Sequence, residues 1–201
     1  MAIADEMSAI SENVFLSGIK GLTLANLNTH RITCVINACE KQRKYAKQEL
    51  ECVHIAIADE RTADISPYFD FVADKMNQVL EKGGNVVVHC VSGISRSPTL
   101  VIAFLIKYRM MTLHESFNFV HSKRSIIRPN NGFFKQLIEF ESKILGSKSV
   151  QMIKIRREPR DGHCIEIEIP DFFESEYTRK VRLELFIEFT KQNNLHKNDE
   201  S

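Results

Sequence analysis

The sequence has almost no excess of charge of either sign and no long apolar run, and both absences exclude classes of protein. Its 27 lysines and arginines and 26 aspartates and glutamates leave a formal net charge of +1. Without a basic stripe to neutralise phosphates, nucleic acid is not expected as a partner. Residues 1–10 carry acidic side chains, and no stretch of the chain is apolar for long enough to cross a bilayer. We therefore expect no signal peptide and no membrane span.

Cysteine is also scarce, with five residues at irregular spacing. An odd and irregular set does not make a disulfide framework and is typical of a reducing compartment. We therefore expect a cytoplasmic location, alone or shared with the nucleus. Cys34 and Cys39 lack a second ligand pair at a spacing that would complete a zinc site. The sequence predicts neither a metal nor a cofactor.

The segment from His89 to Pro98 holds the residues that predict a catalytic site. It follows the β-branched run 85–88 and precedes the apolar run 99–106, which predicts a strand, a tight loop and a buried helix. Backbone amides of such a loop and of the first helical turn converge on one point and can bind a phosphate. The same field favours a thiolate, so Cys90 at the start of the loop is predicted to be a nucleophile.

Arg96 and Ser97 complete this predicted phosphate site. The planar guanidinium of Arg96 can grip two phosphoryl oxygens and follow them through the transition state. The hydroxyl of Ser97 can donate to the sulfur and stabilise the thiolate when it leaves. No Gly-Lys-Ser/Thr sequence ends the loop, which separates it from nucleotide-binding glycine loops. The remaining loop residues are predicted to bind phosphate through their backbone: Val91, Ser92, Gly93, Ile94 and Ser95.

A general acid is needed because the alkoxide or phenoxide of a phosphoester leaves poorly until it is protonated. Asp59 is our candidate, since it follows the apolar run 53–58 at the carboxyl end of a predicted strand, where α/β sheets place their chemistry. Glu60 and Asp64 are the competing carboxylates. Asp64 is assigned instead to the entry of the next helix, where Ser66 and Pro67 form a cap and a first turn.

The pattern His-Cys-x-x-Gly-x-Ser-Arg-Ser resembles the signature of the dual-specificity phosphatases, within the cysteine-dependent protein tyrosine phosphatase superfamily. Segments 13–18 and 127–133 also match that family, and the resemblance covers residues from about 12 to 146. We expect no rhodanese-like kinase-docking domain before the matched part, and therefore a similarity to the small atypical members. The resemblance implies a similar spacing between the acid, here Asp59, and the nucleophile.

The activity that this resemblance implies is hydrolysis of phosphotyrosine and phosphoserine/threonine monoesters on proteins, through a phosphocysteine. Phosphorylated proteins, including kinases of a signalling cascade, would be the substrates. A phosphoinositide or RNA 5′-phosphate phosphatase, a sulfurtransferase and a phosphate-reading adaptor without turnover stay open as alternatives. The lipid and RNA relatives tend to carry lysines in the loop, and inactive relatives tend to lose one of Cys90, Arg96 and Asp59.

Three further residues are assigned supporting roles. His89, next to the nucleophile, is interpreted as a buried histidine that tunes Cys90. Asn130 could cap the following helix, but the resemblance favours a role in buttressing the phosphate loop. Cys39, at the end of the predicted strand 33–38, could reach Cys90 and form a reversible disulfide under peroxide. The alternative for Cys39 is a small packing residue.

Alternating strands and helices predict a layered α/β sheet. For residues 1–147 the resemblance implies the three-layer fold of the phosphatases, a mostly parallel sheet flanked by helices. Strands are predicted at 13–17, 33–38, 52–57 and 85–88. The helix 67–80 is predicted to turn an apolar face that includes Phe71 to the core.

Residues 148–201 change to a pattern of period two, which predicts a small β extension. We expect a hairpin or meander packed on the catalytic domain, with a turn at 160–162 and a last strand over 181–189. A helix from Tyr177 to Phe189 is the alternative for that last stretch. Edge covering, partner docking and a homodimer contact are the roles that we consider for the extension.

Overall fold

The computed structural model describes residues 6–47, 49–157 and 165–179. The chain divides into two compact units, with the division between Ser149 and Val150. Each unit is described by itself.

A five-stranded sheet forms the centre of the first unit. Its strands are β1 (Ser8–Ala9), β2 (Val14–Ser17), β3 (Cys34–Asn37), β4 (Glu51–His54) and β5 (Val86–His89), in the spatial order β1-β2-β5-β3-β4. Only the short edge strand β1 is antiparallel to its neighbour, and the other four strands are parallel. The central strands β2, β3 and β5 are buried at every position, as expected for a parallel sheet covered on both faces.

Five helices cover this sheet. They are α1 (Leu24–Thr29), α2 (Pro67–Glu81), α3 (Arg96–Arg109), α4 (Leu113–Lys123) and α5 (Asn131–Leu145). Leu27 of α1 packs in one core cluster with one residue from each central strand: Phe15 of β2, Val35 of β3 and Val87 of β5. Helix α3 contacts β2 and β5 and is itself packed against α2, α4 and α5. Helices therefore lie on both faces, which confirms the predicted fold class.

The register of the parallel strands brings three chain segments to one edge of the sheet. His89 at the end of β5 pairs with Ser17 of β2 and with Asn37 of β3. The amide of Ala38 then donates to the carbonyl of His89 at 2.8 Å. The residues that follow these three strands, Cys90 among them, therefore leave the sheet side by side.

Local signals set the helix ends. Thr112 and Glu115 form the capping box that their spacing predicts, and each side chain accepts from the other's amide. Gly146 ends α5 in the left-handed conformation, with φ of 74°. Pro67 occupies the first turn of α2, but Ser66 makes no cap bond because its hydroxyl donates to Asp64 Oδ1 at 2.7 Å.

Two details of the expected fold are wrong. Phe71 is not a core residue, since it is 55% exposed, and Phe69 fills the core in its place. The strand expected at 52–57 runs only from Glu51 to His54, although the amide of Ile55 still donates to the carbonyl of Asn37 at 2.8 Å.

The second unit contains an antiparallel pair, β6 (Met152–Arg157) and β7 (Ile165–Pro170). A 3-10 turn, Asp171–Phe173, follows, and residues 174–179 are helical. The predicted β extension is thus present as a hairpin, while its turn at 160–162 and the stretch 181–189 lie outside the described residues. In the part of the chain that the structure describes, no helix has the length and apolarity needed to span a membrane.

Candidate active site

The loop between β5 and α3 is anchored from outside at four successive carbonyl groups. The oxygens that accept these bonds belong to Val91, Ser92, Gly93 and Ile94. Their donors, in the same order, are the amide of Ile19 (2.9 Å), Arg124 Nη2 (3.0 Å), Arg124 Nε (3.0 Å) and the amide of Arg128 (2.7 Å).

This anchoring orients the loop amides. In a trans peptide the C=O and the following N–H point in opposite directions. Because four carbonyls are held outward, the amides of residues 92–95 point to the inside of the loop. Four inward N–H groups at the start of a buried helix form a site for an oxyanion.

Gly93 is required by the close approach of the loop to β2. Its φ is 66°, in the left-handed region that glycine adopts freely. A Cβ at this position would lie 2.7 Å from the backbone of Ser17. Any side chain here would push the loop away from the sheet.

Cys90 lies at the base of this cup. It is 2% exposed, and the hydroxyl of the fully buried Ser97 donates to its sulfur at 3.2 Å. The sulfur therefore accepts a hydrogen bond from a side chain in the first turn of α3. Val91 is 52% exposed and stands at the outer rim.

Arg96 begins α3 and is held against the loop. It is 6% exposed, and its Nη1 donates to the carbonyl of Ile57 at 3.0 Å. Its buried Nε has no hydrogen-bond partner among the described residues and lies 3.7 Å from Asp59 Oδ2. A buried guanidinium N–H without an acceptor is costly, and a phosphoryl oxygen would satisfy it.

The structure brings Asp59 to the phosphate loop. Its Oδ1 accepts from the hydroxyl of Ser95 at 2.6 Å and from Asn130 Nδ2 at 3.0 Å. The competing Asp64 lies at the entry of α2, where it accepts from the amide and the hydroxyl of Ser66. The other competing carboxylate, Glu60, contacts this network through its backbone, where its carbonyl accepts from Asn130 at 3.3 Å.

His89 is fully buried in a chain of hydrogen bonds with Tyr45. Burial lowers the pKa of His89 to about 4, and burial also raises the pKa of Tyr45, so both are neutral at pH 7. The Tyr45 hydroxyl lies 2.6 Å from His89 Nε2, and His89 Nδ1 lies 3.3 Å from the carbonyl of Cys90. Tyr45 therefore donates to Nε2 of His89, and the protonated Nδ1 donates to the carbonyl of Cys90.

Asn130 makes the contacts of both interpretations that the sequence left open, a cap of the following helix and a contact to the phosphate loop. Its Oδ1 accepts from the amide of Phe133 at 3.0 Å and caps α5. Its own amide donates to Ser95 Oγ at 3.1 Å, and its Nδ2 reaches Asp59. It thus contacts both the phosphate loop and the candidate acid.

Arg124 and Tyr45 are the residues of this site that sequence reasoning missed. Arg124 is fully buried, and its Nη1 also donates to the carbonyl of Glu6 and to Ser8 Oγ. Burial lowers the pKa of Arg124, and the adjacent Cys90 raises it. In the sequence this arginine stands in a polar stretch at the end of a helix, and nothing local marks it as buried.

Cys39 follows β3 at the same edge of the sheet and is 4% exposed. Its amide donates to Asn37 Oδ1, and its carbonyl lies 2.9 Å from His54 Nε2. Burial raises the pKa of the Cys39 thiol, and the nearby Cys90 raises it further. The thiol is therefore protonated at neutral pH and within electrostatic range of the nucleophile. A regulatory disulfide between Cys39 and Cys90 stays a prediction.

Peroxide treatment tests that disulfide. Hydrogen peroxide would oxidise Cys90 to a sulfenic acid, and the Cys39 thiol would then form the S–S bond with loss of water. We expect mass spectrometry to find a linked Cys39–Cys90 peptide and dithiothreitol to restore activity. Cys39→Ser should lose that recovery, whereas the control Cys52→Ser should keep it. Oxidised Cys90 without any link to Cys39 would contradict the prediction.

The buried cysteine lies under four inward amides. An arginine begins the next helix, and a carboxylate lies beside the loop. This combination defines a class of enzyme. It is the class of cysteine-dependent phosphatases, in which sulfur accepts the phosphoryl group.

Comparison with known proteins specifies the family. The model of the family described as "Dual specificity phosphatase, catalytic domain" matches residues 14–143. Mouse dual specificity protein phosphatase 14 is 44% identical over 128 residues, which cover 64% of this chain and 65% of the relative. The human protein of that name is 38% identical over 151 residues, or 74% of this chain and 75% of the relative.

Solved structures agree on the fold. The human tyrosine phosphatase-like serine/threonine/tyrosine-interacting protein has 30% identity and a TM-score of 0.65, over 70% of this chain and 99% of its own. Human DUSP28, at 22% identity, shows the shared fold alone, with a TM-score of 0.67 over 70% of this chain and 95% of its own. The chain belongs to the dual specificity phosphatase family, and its likeness to these small relatives confirms the expectation of an atypical member.

Proposed function

We propose that the protein hydrolyses phosphotyrosine and phosphoserine/threonine monoesters of proteins through a phosphocysteine formed at Cys90. The observation that carries this proposal is the outward anchoring of four loop carbonyls, which turns four amides to the inside of the loop, next to Arg96, whose Nε makes no hydrogen bond among the described residues. A phosphoryl group fits this arrangement because its oxygens can satisfy all these donors at once.

In the first step the sulfur of Cys90 attacks the phosphorus in line with the leaving oxygen. An S–P bond forms while the P–O ester bond breaks. The loop amides and Arg96 bind the oxygens on which negative charge develops. Asp59 gives its proton to the leaving oxygen, so the alcohol or phenol of the substrate departs neutral.

In the second step water attacks the phosphocysteine. Asp59, now a carboxylate, takes a proton from that water as the S–P bond breaks. Inorganic phosphate forms, and Cys90 is released as a thiolate. The Ser97 hydroxyl, which lies 3.2 Å from the sulfur, stabilises this leaving group by its hydrogen bond.

The loop residues support a protein substrate over the lipid and RNA alternatives. Between Cys90 and Arg96 the loop holds no lysine to pair with the additional phosphates of such substrates. The adaptor alternative would need no proton donor, yet Asp59 is held beside the loop by two hydrogen bonds. That signalling kinases are among the substrates, that the protein is cytoplasmic or nuclear and that residues 148–201 form a homodimer contact all stay predictions.

Cys90→Ser tests the activity. We expect it to abolish hydrolysis of phosphotyrosine and phosphothreonine peptides, because the hydroxyl is a far weaker nucleophile, but to keep phosphopeptide binding, because the amides and Arg96 are intact. Cys52→Ser, on the exposed strand β4, should keep full activity. Wild-type protein assayed on a phosphoinositide and on a 5′-phosphorylated RNA should turn over both more slowly than the peptides. Turnover of either at the peptide rate would contradict the proposed substrate class.

Asp59→Asn tests the proton donor. We expect kcat/KM to fall about a hundredfold on phenyl phosphate, whose leaving group needs protonation, and far less on 2,4-dinitrophenyl phosphate. The matched control is Asp64→Asn, since Asp64 bonds only to Ser66 at the entry of α2 and should have little effect on either ester. An equal loss on both esters in Asp59→Asn, or the leaving-group dependence appearing in Asp64→Asn, would move the acid elsewhere.

A further inference from the structure

We infer that Lys41, Arg43 and Lys44, in the loop between β3 and β4, form a subsite for acidic side chains that flank the phosphorylated residue of a protein substrate. The inference rests on the proposed hydrolysis of phosphoproteins at Cys90, and it adds which protein segments the enzyme prefers. These three residues are called the basic segment below.

Both ends of the loop 38–45 are bound to the last residue of β5. At its start, the amide of Ala38 donates to the carbonyl of His89 at 2.8 Å. At its end, the hydroxyl of Tyr45 lies 2.6 Å from Nε2 of the same histidine. Because His89 directly precedes Cys90, a loop fixed at both of these points cannot move far from the phosphate cup. The basic segment lies between the two points.

The side chains of the basic segment are exposed, and none of the three makes an ion pair within the described residues. Glu40, the acidic residue of this loop, is also exposed and does not pair with them. The backbone is nevertheless held, since Asn37 Nδ2 donates to the carbonyl of Lys41 at 3.1 Å. The segment therefore presents a fixed group of cations that can pair with a ligand.

The charge of the basic segment reaches the residues next to the nucleophile. Burial lowers the pKa of His89 to about 4, and the positive charge of Arg43 acts in the same direction. Arg43 is therefore within electrostatic range of the histidine that precedes Cys90. An anionic side chain close to a bound phosphoryl group would be within range of the same guanidinium.

The segment that carries the proposed acid lies on the other face of the sheet and has the opposite charge. Tyr45 packs in the core cluster of α1, which contains no residue of α2–α5. Asp59, in contrast, is bound to Ser95 before α3 and to Asn130 at the start of α5. The segment 59–64 has three carboxylates and one arginine, all exposed: Asp59, Glu60, Asp64 and Arg61.

A substrate bound between these two segments meets opposite charges on its two sides. An acidic stretch is attracted by the basic segment and repelled by the segment 59–64, so it should lie on one side of the phosphorylated residue only. This asymmetry favours a protein chain over a phosphoinositide, because the headgroup and the anionic membrane around it would bring negative charge to both segments.

Matched phosphotyrosine peptides test the subsite. They carry glutamates on the amino-terminal side of the phosphotyrosine, glutamates on its carboxy-terminal side, or glutamines at all of these positions. We expect kcat/KM to be about tenfold higher for one of the acidic peptides than for the glutamine peptide, and the other acidic peptide to show no gain. The preference should fall below about twofold in about 0.5 M NaCl, because salt screens exposed charges.

Arg43→Glu tests the residues that bind the acidic stretch. We expect the ratio of kcat/KM on the preferred acidic peptide to kcat/KM on phenyl phosphate to fall about tenfold. A peptide with lysines at the same positions should become a better substrate than the acidic one, because the charge at the subsite is reversed. Lys82→Glu is the matched control. Lys82 is exposed and follows α2 at the opposite edge of the sheet, and this variant should keep the preference for the acidic peptide.

An equal loss in Arg43→Glu on the acidic peptide, the glutamine peptide and phenyl phosphate would overturn the inference, since Arg43 would then support the site in general. Loss of phosphoinositide hydrolysis in Arg43→Glu, with no change on the peptides, would also overturn it and assign the segment to lipid phosphates. If the wild type hydrolyses all the peptides equally and Cys90→Ser hydrolyses none, only the subsite is wrong. If the wild type hydrolyses no phosphopeptide, the proposed function is wrong as well.

Discussion

The buried guanidinium of Arg124 is the contact on which the proposed phosphate site depends. It holds two adjacent loop carbonyls outward, those of Ser92 and Gly93, while Ile19 and Arg128 hold the carbonyls on either side. Because each peptide is planar and trans, the amides that follow these carbonyls point inward. Arg124 also bonds Glu6 and Ser8, so the loop and the first strand share one buried anchor. The proposed anion site is therefore formed by hydrogen bonds to the loop carbonyl oxygens, which do not themselves contact the anion.

Three titratable side chains lie around Cys90, the proposed nucleophile, and hydrogen bonds hold each of them. His89, directly before Cys90, stays neutral because burial lowers its pKa to about 4, and its hydrogen bonds to Tyr45 and to the Cys90 carbonyl leave it no free donor. Arg96 donates from Nη1 to the carbonyl of Ile57, and its Nε, which has no hydrogen-bond partner among the described residues, is proposed to bind the ligand. Asp59 lies next to Arg96, with its Oδ2 3.7 Å from Nε, and its Oδ1 accepts from Ser95 and Asn130.

The sequence predicted what is encoded locally and missed what is made by distant contacts. The phosphate loop, the capping box at Thr112 and the sheet class follow from short patterns whose physics is contained within a few residues. Arg124 could not be found in this way, because its partners lie 31 to 118 residues away. Phe71 and Phe69 are two apolar positions on opposite sides of one helix, and the buried one, Phe69, packs against Phe140 of α5, a contact that the sequence of the helix does not show.

The most direct test of this account is to isolate the covalent intermediate. Ser97→Ala removes the hydrogen bond to the leaving sulfur, so the second step should slow more than the first and the phosphoenzyme should accumulate. Rapid quenching during the first turnover of a phosphotyrosine peptide, followed by peptide mass spectrometry, should place one phosphoryl group on Cys90. Release of the dephosphorylated peptide with Cys90 unmodified, or a phosphoryl group on another residue, would contradict the account.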